Sequence, residues 1–177
     1  MTNGVVVEME KKTEPKLVVG IVHNDLFGLF KVIWPVIQPG VAELAQESNG
    51  EYEEWQVHRA ILDKRYEVLM VYMDRTGTAE PEKYQEYFAK HLETPLQDFV
   101  GFAILEPFVK DRAHIFQVYI LPQYRNTNIL KLGLEFIENY MKTLKRPSLS
   151  VCTRADASAA LRGMGFKEQY TTYFKKL

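Results

Sequence analysis

The chain has 177 residues, with apolar residues at 46% and charged residues at 25%. That is the size and balance of one globular domain, able to bury about 70% of its unfolded surface without a disulfide or metal staple. The single cysteine, Cys152, excludes an internal disulfide framework and any cysteine-based zinc site. No apolar run approaches the roughly 20 residues of a membrane span, and the first residues lack the basic-then-apolar layout of a secretion signal. A reducing cytoplasm is therefore the expected address, with no membrane partner.

The net charge of −1 hides an asymmetry. Residues 1–107 carry 10 Lys/Arg against 18 Asp/Glu, whereas residues 108–177 carry 12 against 5. Two readings follow: ion pairs between two parts of one domain, or a basic half that holds a polyanion beside an acidic half that receives a cation. A pI of about 6.4 argues against nucleic acid as the polyanion.

In chain order, residues 1–15 are polar around Val5–Val7 and read as a flexible segment or an edge strand, leaving 16–177 as the domain. Leu17 to Val22 is β-branched and short, hence a strand. Leu26, Leu29, Phe30 and Ile33 follow at helical spacing, and Pro35 is expected to end or kink that helix. Pro39-Gly40 gives a second break before Val41, Leu44 and Ala45 resume the period. Glu51 to Lys64 reads as an amphipathic helix with Trp55, His58, Ile61 and Leu62 toward a core.

Tyr66 to Met73 is a strand by composition, Pro81 to Leu92 a short helix, and Phe99 to Leu105 a strand. Residues 106–112, with a proline and four charges, read as a turn, and Ala113 to Leu121 as a long strand stopped by Pro122. After Arg125 the period becomes helical, with Ile129, Leu132, Leu134, Phe136, Ile137, Tyr140, Met141 and Leu144 as a buried stripe. Ser148 to Val151 (strand), Ala155 to Met164 (helix) and Phe166 to Phe174 (strand) complete the chain. Strands in a row, then strands alternating with helices, predict an α/β fold: a mixed central sheet with helices on both faces.

The last 80 residues carry Val100-Gly101-Phe102, then Val118-Tyr119-Ile120-Leu121-Pro122-Gln123-Tyr124-Arg125, an amphipathic helix from Leu130 to Leu144, Met164-Gly165-Phe166 and Tyr173-Phe174. In order and spacing these pieces resemble the GNAT superfamily of acyl-CoA-dependent N-acyltransferases. The resemblance implies an acetyl-CoA or other acyl-CoA cofactor and a primary amine acceptor on a protein or small molecule. It implies a pyrophosphate-binding turn at Arg125, Asn126, Thr127, Asn128, Ile129 and Leu130, where N–H groups at a helix start meet the phosphates. Asn128 and Leu130 stand where the family has glycines. Val118, Tyr119 and Ile120 match the strand segment whose main chain holds the pantetheine arm and the acyl carbonyl.

His114 falls close to the family's glutamate base, and a histidine is a base suited to neutral pH. It can equally be a histidine at the mouth of a strand beside the charged turn Lys110-Asp111-Arg112. The family's acid tyrosine is replaced by Leu161, so Tyr119 and Tyr124 are the substitute proton carriers, with Cys152 nearby. The lost glycines and tyrosine motivate an alternative: a degenerate member of the fold that acts by binding another protein. The sequence leaves room for a homodimer. His23, His58, His91 and His114 have no metal-ligand spacing.

Overall fold

The computed structural model describes residues 16–22, 27–48, 50–75, 97–109, 112–125, 127–151 and 158–168. The elements are β1 (Lys16–Val22), α1 (Phe27–Glu47), α2 (Glu54–Leu62), β2 (Glu67–Asp74), β3 (Phe99–Val109), β4 (Arg112–Ile120), a 3-10 turn at Pro122–Tyr124, α3 (Ile129–Thr143), β5 (Ser148–Val151) and α4 (Ser158–Gly163). The five strands form one sheet in sequence order. β1 to β4 are antiparallel neighbours, and β5 pairs parallel to β4 after the α3 crossover. This is the expected mixed α/β sheet. The expected helix over Pro81–Leu92 and the segment 1–15 lie outside the described residues, as does most of the expected strand Phe166–Phe174, whose first residues 166–168 form no strand.

Each sheet face buries its own core. Ile33, Val36, Ile37 and Val41 of α1 and Val57 and Ile61 of α2 pack on Val68, Met70, Tyr72, Phe102, Ile104 and Tyr119. On the other face Ile129, Leu134, Ile137 and Met141 of α3, with Leu161 of α4, cover Leu69, Val71, Ala103, Leu105, Ala113 and Ile115.

Three expectations are corrected. First, Pro35 and Pro39 lie inside a continuous 21-residue α1. They are four residues apart and both exposed, so they share the solvent stripe. The carbonyls they deprive of a helical donor are on that stripe too, where water can bond them. Gly40 sits on the opposite stripe: a Cβ there would stand 2.7 Å from the rings of Phe102 and Tyr119. Its missing side chain lets α1 lie close on the sheet.

Second, β3 runs through Pro107 to Val109 and does not turn at 106. The β3–β4 register shifts between Glu106 and Val109. A proline is tolerated at such an irregularity because no ladder N–H is demanded there. Third, Trp55 is 62% exposed, and Leu62 and Leu132 are also exposed. The Trp55 indole N–H instead donates to Glu53 at 2.6 Å, which carries the capping box of α2.

Candidate active site

The site is built on β4, and an irregularity in β4 shapes it. Ile104 pairs with Gln117 but Leu105 pairs with Ile115, so Phe116 is an extra residue, a β-bulge. The bulge reverses which parity faces which core. Before it Ala113 and Ile115 face α3, and after it Val118 and Ile120 do. Phe116 and Tyr119 face α1 and α2. Gln117 is 5% exposed, and both head atoms lack a well-aligned hydrogen bond, although the amide lies beside the Tyr52 hydroxyl and acts against the rise that burial imposes on that phenol's pKa.

β5 pairs with β4 only from Arg112↔Ser148 to Ile115↔Val151. Beyond Ile115, β4 has β3 on one side and, among the described residues, no strand on the other. The Leu121 N–H donates to the Val100 carbonyl at 2.9 Å. Main-chain groups alternate along a strand, so those of Val118 and Ile120 point away from β3, toward the open side. One is engaged there by a side chain: Arg125 Nε donates to the Ile120 carbonyl at 2.9 Å. Gly101 is needed on the closed side, since a Cβ would lie 2.2 Å from the Tyr119 carbonyl oxygen.

At the upper end of β4, Glu43 of α1 joins two expected site residues. Its carboxylate accepts from the Tyr119 hydroxyl and from Arg125 Nη2, each at 2.8 Å. The guanidinium also lies 5.4 Å from the centre of the Tyr119 ring. These hydrogen bonds, Arg125 first, hold the Glu43 carboxyl below its ordinary pKa. Burial and the adjacent carboxylate push the Tyr119 phenol up, so it is neutral and a donor.

At the lower end, His114 Nδ1 lies 3.0 Å from Ser150 Oγ. Glu106 is its partner across the sheet on β3. Burial lowers the His114 pKa, with Glu106 acting against that shift and Arg112 with it. The imidazole is therefore neutral at pH 7. His114 and Tyr119 share a face but are five residues apart, roughly 16 Å along a strand, so they do not meet at one reacting atom.

The turn after β4 is ordered by its own side chain. Thr127 Oγ1 donates to the Tyr124 carbonyl at 2.7 Å and accepts from the Ile129 N–H at 3.4 Å. Asn128 precedes α3 without a side-chain cap, and Leu132 N–H is bonded to the Asn128 carbonyl. The N–H groups of Leu130 and Lys131 belong to the first turn, where a helix has no internal acceptors. Leu130 packs against the core under α3, as does Tyr124. Asn126 lies outside the described residues. Val118, Tyr119, Ile120, Ile129, Leu130 and Gly133 contribute to the lining of a small apolar pocket, open to solvent, between α3 and the sheet.

Sequence reasoning missed Glu43 and Ser150. No spacing signals Glu43, which is 76 residues from Tyr119 and meets it only through the close approach of α1. Ser150 could have been found once β5 was placed parallel to β4.

Among the described residues no helix is long and apolar enough to cross a membrane, and no group of His, Cys, Asp and Glu could hold a metal. No curated protein sequence matches this chain. Solved structures share its fold. A ribosomal-protein-alanine N-acetyltransferase from Brucella melitensis biovar Abortus 2308 superposes with a TM-score of 0.57 at 13% identity, covering 92% of this chain and 99% of that one. An aminoglycoside acetyltransferase from an uncultured soil metagenomic sample, in complex with sisomicin, gives 0.53 at 11% identity, over 91% and 96%. A GNAT family acetyltransferase from Staphylococcus aureus gives 0.51 at 11%, over 91% and 98%. The model of the Acetyltransferase (GNAT) family matches residues 41–166, which span α3, the turn before it, and the whole of β4 with its bulge and open edge. The chain belongs to the GNAT acetyltransferase family.

Proposed function

We propose that this protein is an acyl-CoA-dependent N-acyltransferase that acetylates a primary amine. The observation that carries the reading is the open edge of β4 beside the N-terminus of α3, where Asn128 provides no side-chain cap. Main-chain groups of Val118 and Ile120 face a side with no strand among the described residues, and the first-turn donors of α3 follow at the end of that same edge. A helix of 15 residues presents these donors with the positive end of its dipole, which suits phosphate. Leu130, in the place of a family glycine, packs toward the core, which is compatible with a clear path to the turn.

In this reading Leu130 and Lys131 N–H groups hold the pyrophosphate and the Val118 N–H orients the acyl carbonyl. When bound, acyl-CoA supplies an acyl group activated as a thioester. His114 takes the proton of the acceptor ammonium, directly or through one water. Tyr119, neutral and tied to Glu43, is a donor on the same face but well up the strand; Tyr124 packs beneath α3. The acidic half of the chain favours a cationic acceptor.

Isothermal titration with acetyl-CoA and with free CoA, at low and high salt, tests the reading. Binding that weakens with salt is expected. Thiol release should then follow on adding an alanine-led peptide, a lysine peptide or spermidine. No binding of either cofactor form at millimolar concentration would overturn the proposal and favour a degenerate member of the fold that binds another protein.

A further inference from the structure

We infer that Ser150 is a positioning residue that holds His114 as its Nδ1–H tautomer and so leaves Nε2 as the nitrogen that accepts the substrate proton. The inference rests on the base role proposed for His114. It follows from a count of donors. The Ser150 hydroxyl has one hydrogen, and it is committed: Ser150 Oγ donates to the Ala113 carbonyl at 3.2 Å, and a carbonyl can only accept. The contact between Ser150 Oγ and His114 Nδ1, at 3.0 Å, must then run the other way. Nδ1 carries the proton and donates it to the serine oxygen. In a neutral imidazole the second nitrogen is left with the lone pair.

The fold fixes this arrangement. His114↔Ser150 are paired residues of the parallel β4–β5 ladder, so their side chains leave the same face of the sheet. Ala113 is in the same ladder, opposite Leu149. Both the acceptor of the serine hydrogen and the donor to its oxygen thus come from consecutive residues of β4. The charged groups that act on the ring are Glu106 across the β3–β4 pair and Arg112 on its own strand. When Nε2 takes a proton from an ammonium group, the N–H bond of the substrate breaks and an Nε2–H bond forms. The amine recovers its lone pair, and the ring becomes an imidazolium. Nδ1–H stays on Ser150, the new charge faces Glu106, and the proton later leaves to water.

The tautomer can be read on the free protein, without cofactor or acceptor. Long-range proton–nitrogen correlation spectra of protein labelled with nitrogen-15 in histidine, at pH 8, distinguish the two neutral forms. Comparison with His114→Gln assigns the signal. The wild type should show His114 protonated on Nδ1. Ser150→Ala, which removes the hydroxyl and keeps the main-chain contact of residue 150 with the ring, should raise the Nε2–H population measurably, and Ser150→Thr, which keeps the hydroxyl, should restore Nδ1–H. An Nε2–H signal in the wild type would overturn the inference, whatever the variants do. So would an unchanged Nδ1–H signal in a folded Ser150→Ala. Failure to bind CoA bears on the proposed function alone, because the spectra need no ligand.

Discussion

β4 is one strand with two characters. From Arg112 to Ile115 it is interior, with β3 on one side and β5 on the other. From Val118 to Ile120 it has β3 alone among the described residues, and the Arg125 guanidinium meets the Ile120 carbonyl. In the interior half the main chain is paired on both sides, and what the proposed reaction would draw on is a side chain, His114. In the open half the side chains pack into two cores, and what the proposed reaction would draw on is the main chain itself. The Phe116 bulge joins the halves and lets each keep its own core contacts.

Removing the side chain of the interior half should have the largest effect. His114→Ala should lower turnover by at least about tenfold, since general bases contribute about 10²–10⁴. Acetyl-CoA affinity, which the proposal assigns to the open half, should stay nearly unchanged. The acid limb of the wild-type pH–rate curve should fall below pH 6.5, because burial lowers the histidine pKa, and the variant should lack it. Full turnover with the same profile would show that the interior half does no chemistry.

The open half is more brittle toward β3 than its free side suggests. Gly101→Val places atoms against the Tyr119 carbonyl, a main-chain group that cannot rotate away. Overpacking of this kind costs about 1–3 kcal/mol or more, so a clear drop in melting temperature is expected. A variant as stable as the wild type would mean that β3 can shift along β4.

Across the cavity, Gly133→Ala should do the reverse. A Cβ at Gly133 meets nothing within 4 Å, and alanine is better than glycine in a helix by about 1 kcal/mol. Melting should rise by about 2–4 °C. If acetyl-CoA affinity falls while stability rises, the cavity beside the open half belongs to the binding path.

The smallest effect concerns Glu43, whose carboxylate ties α1 to the open half. Its folded pKa is lowered, so its contribution is present above the ordinary value of about 4.5 and is lost as pH falls through the lower folded value. Glu43 and Arg125 are both more than a third exposed, and such pairs contribute under about 1 kcal/mol. Glu43→Gln should therefore melt slightly below the wild type at pH 7, with the gap closing toward pH 3. A gap that persists at pH 3 would assign the effect to packing.

Much of this was legible beforehand where the local pattern and the tertiary environment agree. β4 and α3 were readable because the β-branched and aromatic content of Ala113–Ile120 favours a strand and the apolar residues of Ile129–Met141 recur at helical spacing. Pro35 misled because a rule about one residue was set against a stripe of Ile33, Val36, Ile37 and Val41, and the stripe prevailed once both prolines faced water. Trp55 misled because an aromatic residue can be held at the surface by a single hydrogen bond. The bulge at Phe116 left no trace, since it is a property of two strands in register. Glu43 and Ser150 belong to the same class, as residues whose meaning arises only from what lies opposite.

The brevity of β5 also bears on the order in which the molecule forms and comes apart. Four residues in a parallel ladder, reached only after the α3 crossover, make late contacts, because the chain between the partners must be arranged before pairing rewards it. β3 and β4, by contrast, are adjacent in the chain and pair as a hairpin, from Val109↔Arg112 to Gly101↔Ile120. Native-state hydrogen exchange should show this as a sub-global opening: amides of Ser148–Val151 exchanging well before those of β2 and β3, at a free energy below that of global unfolding. In such an opening the Ser150 hydroxyl leaves His114 while the four-stranded remainder stays folded. The least stable piece of the sheet would then be the one that prepares the base, and its closure would be coupled to the protein's readiness to act.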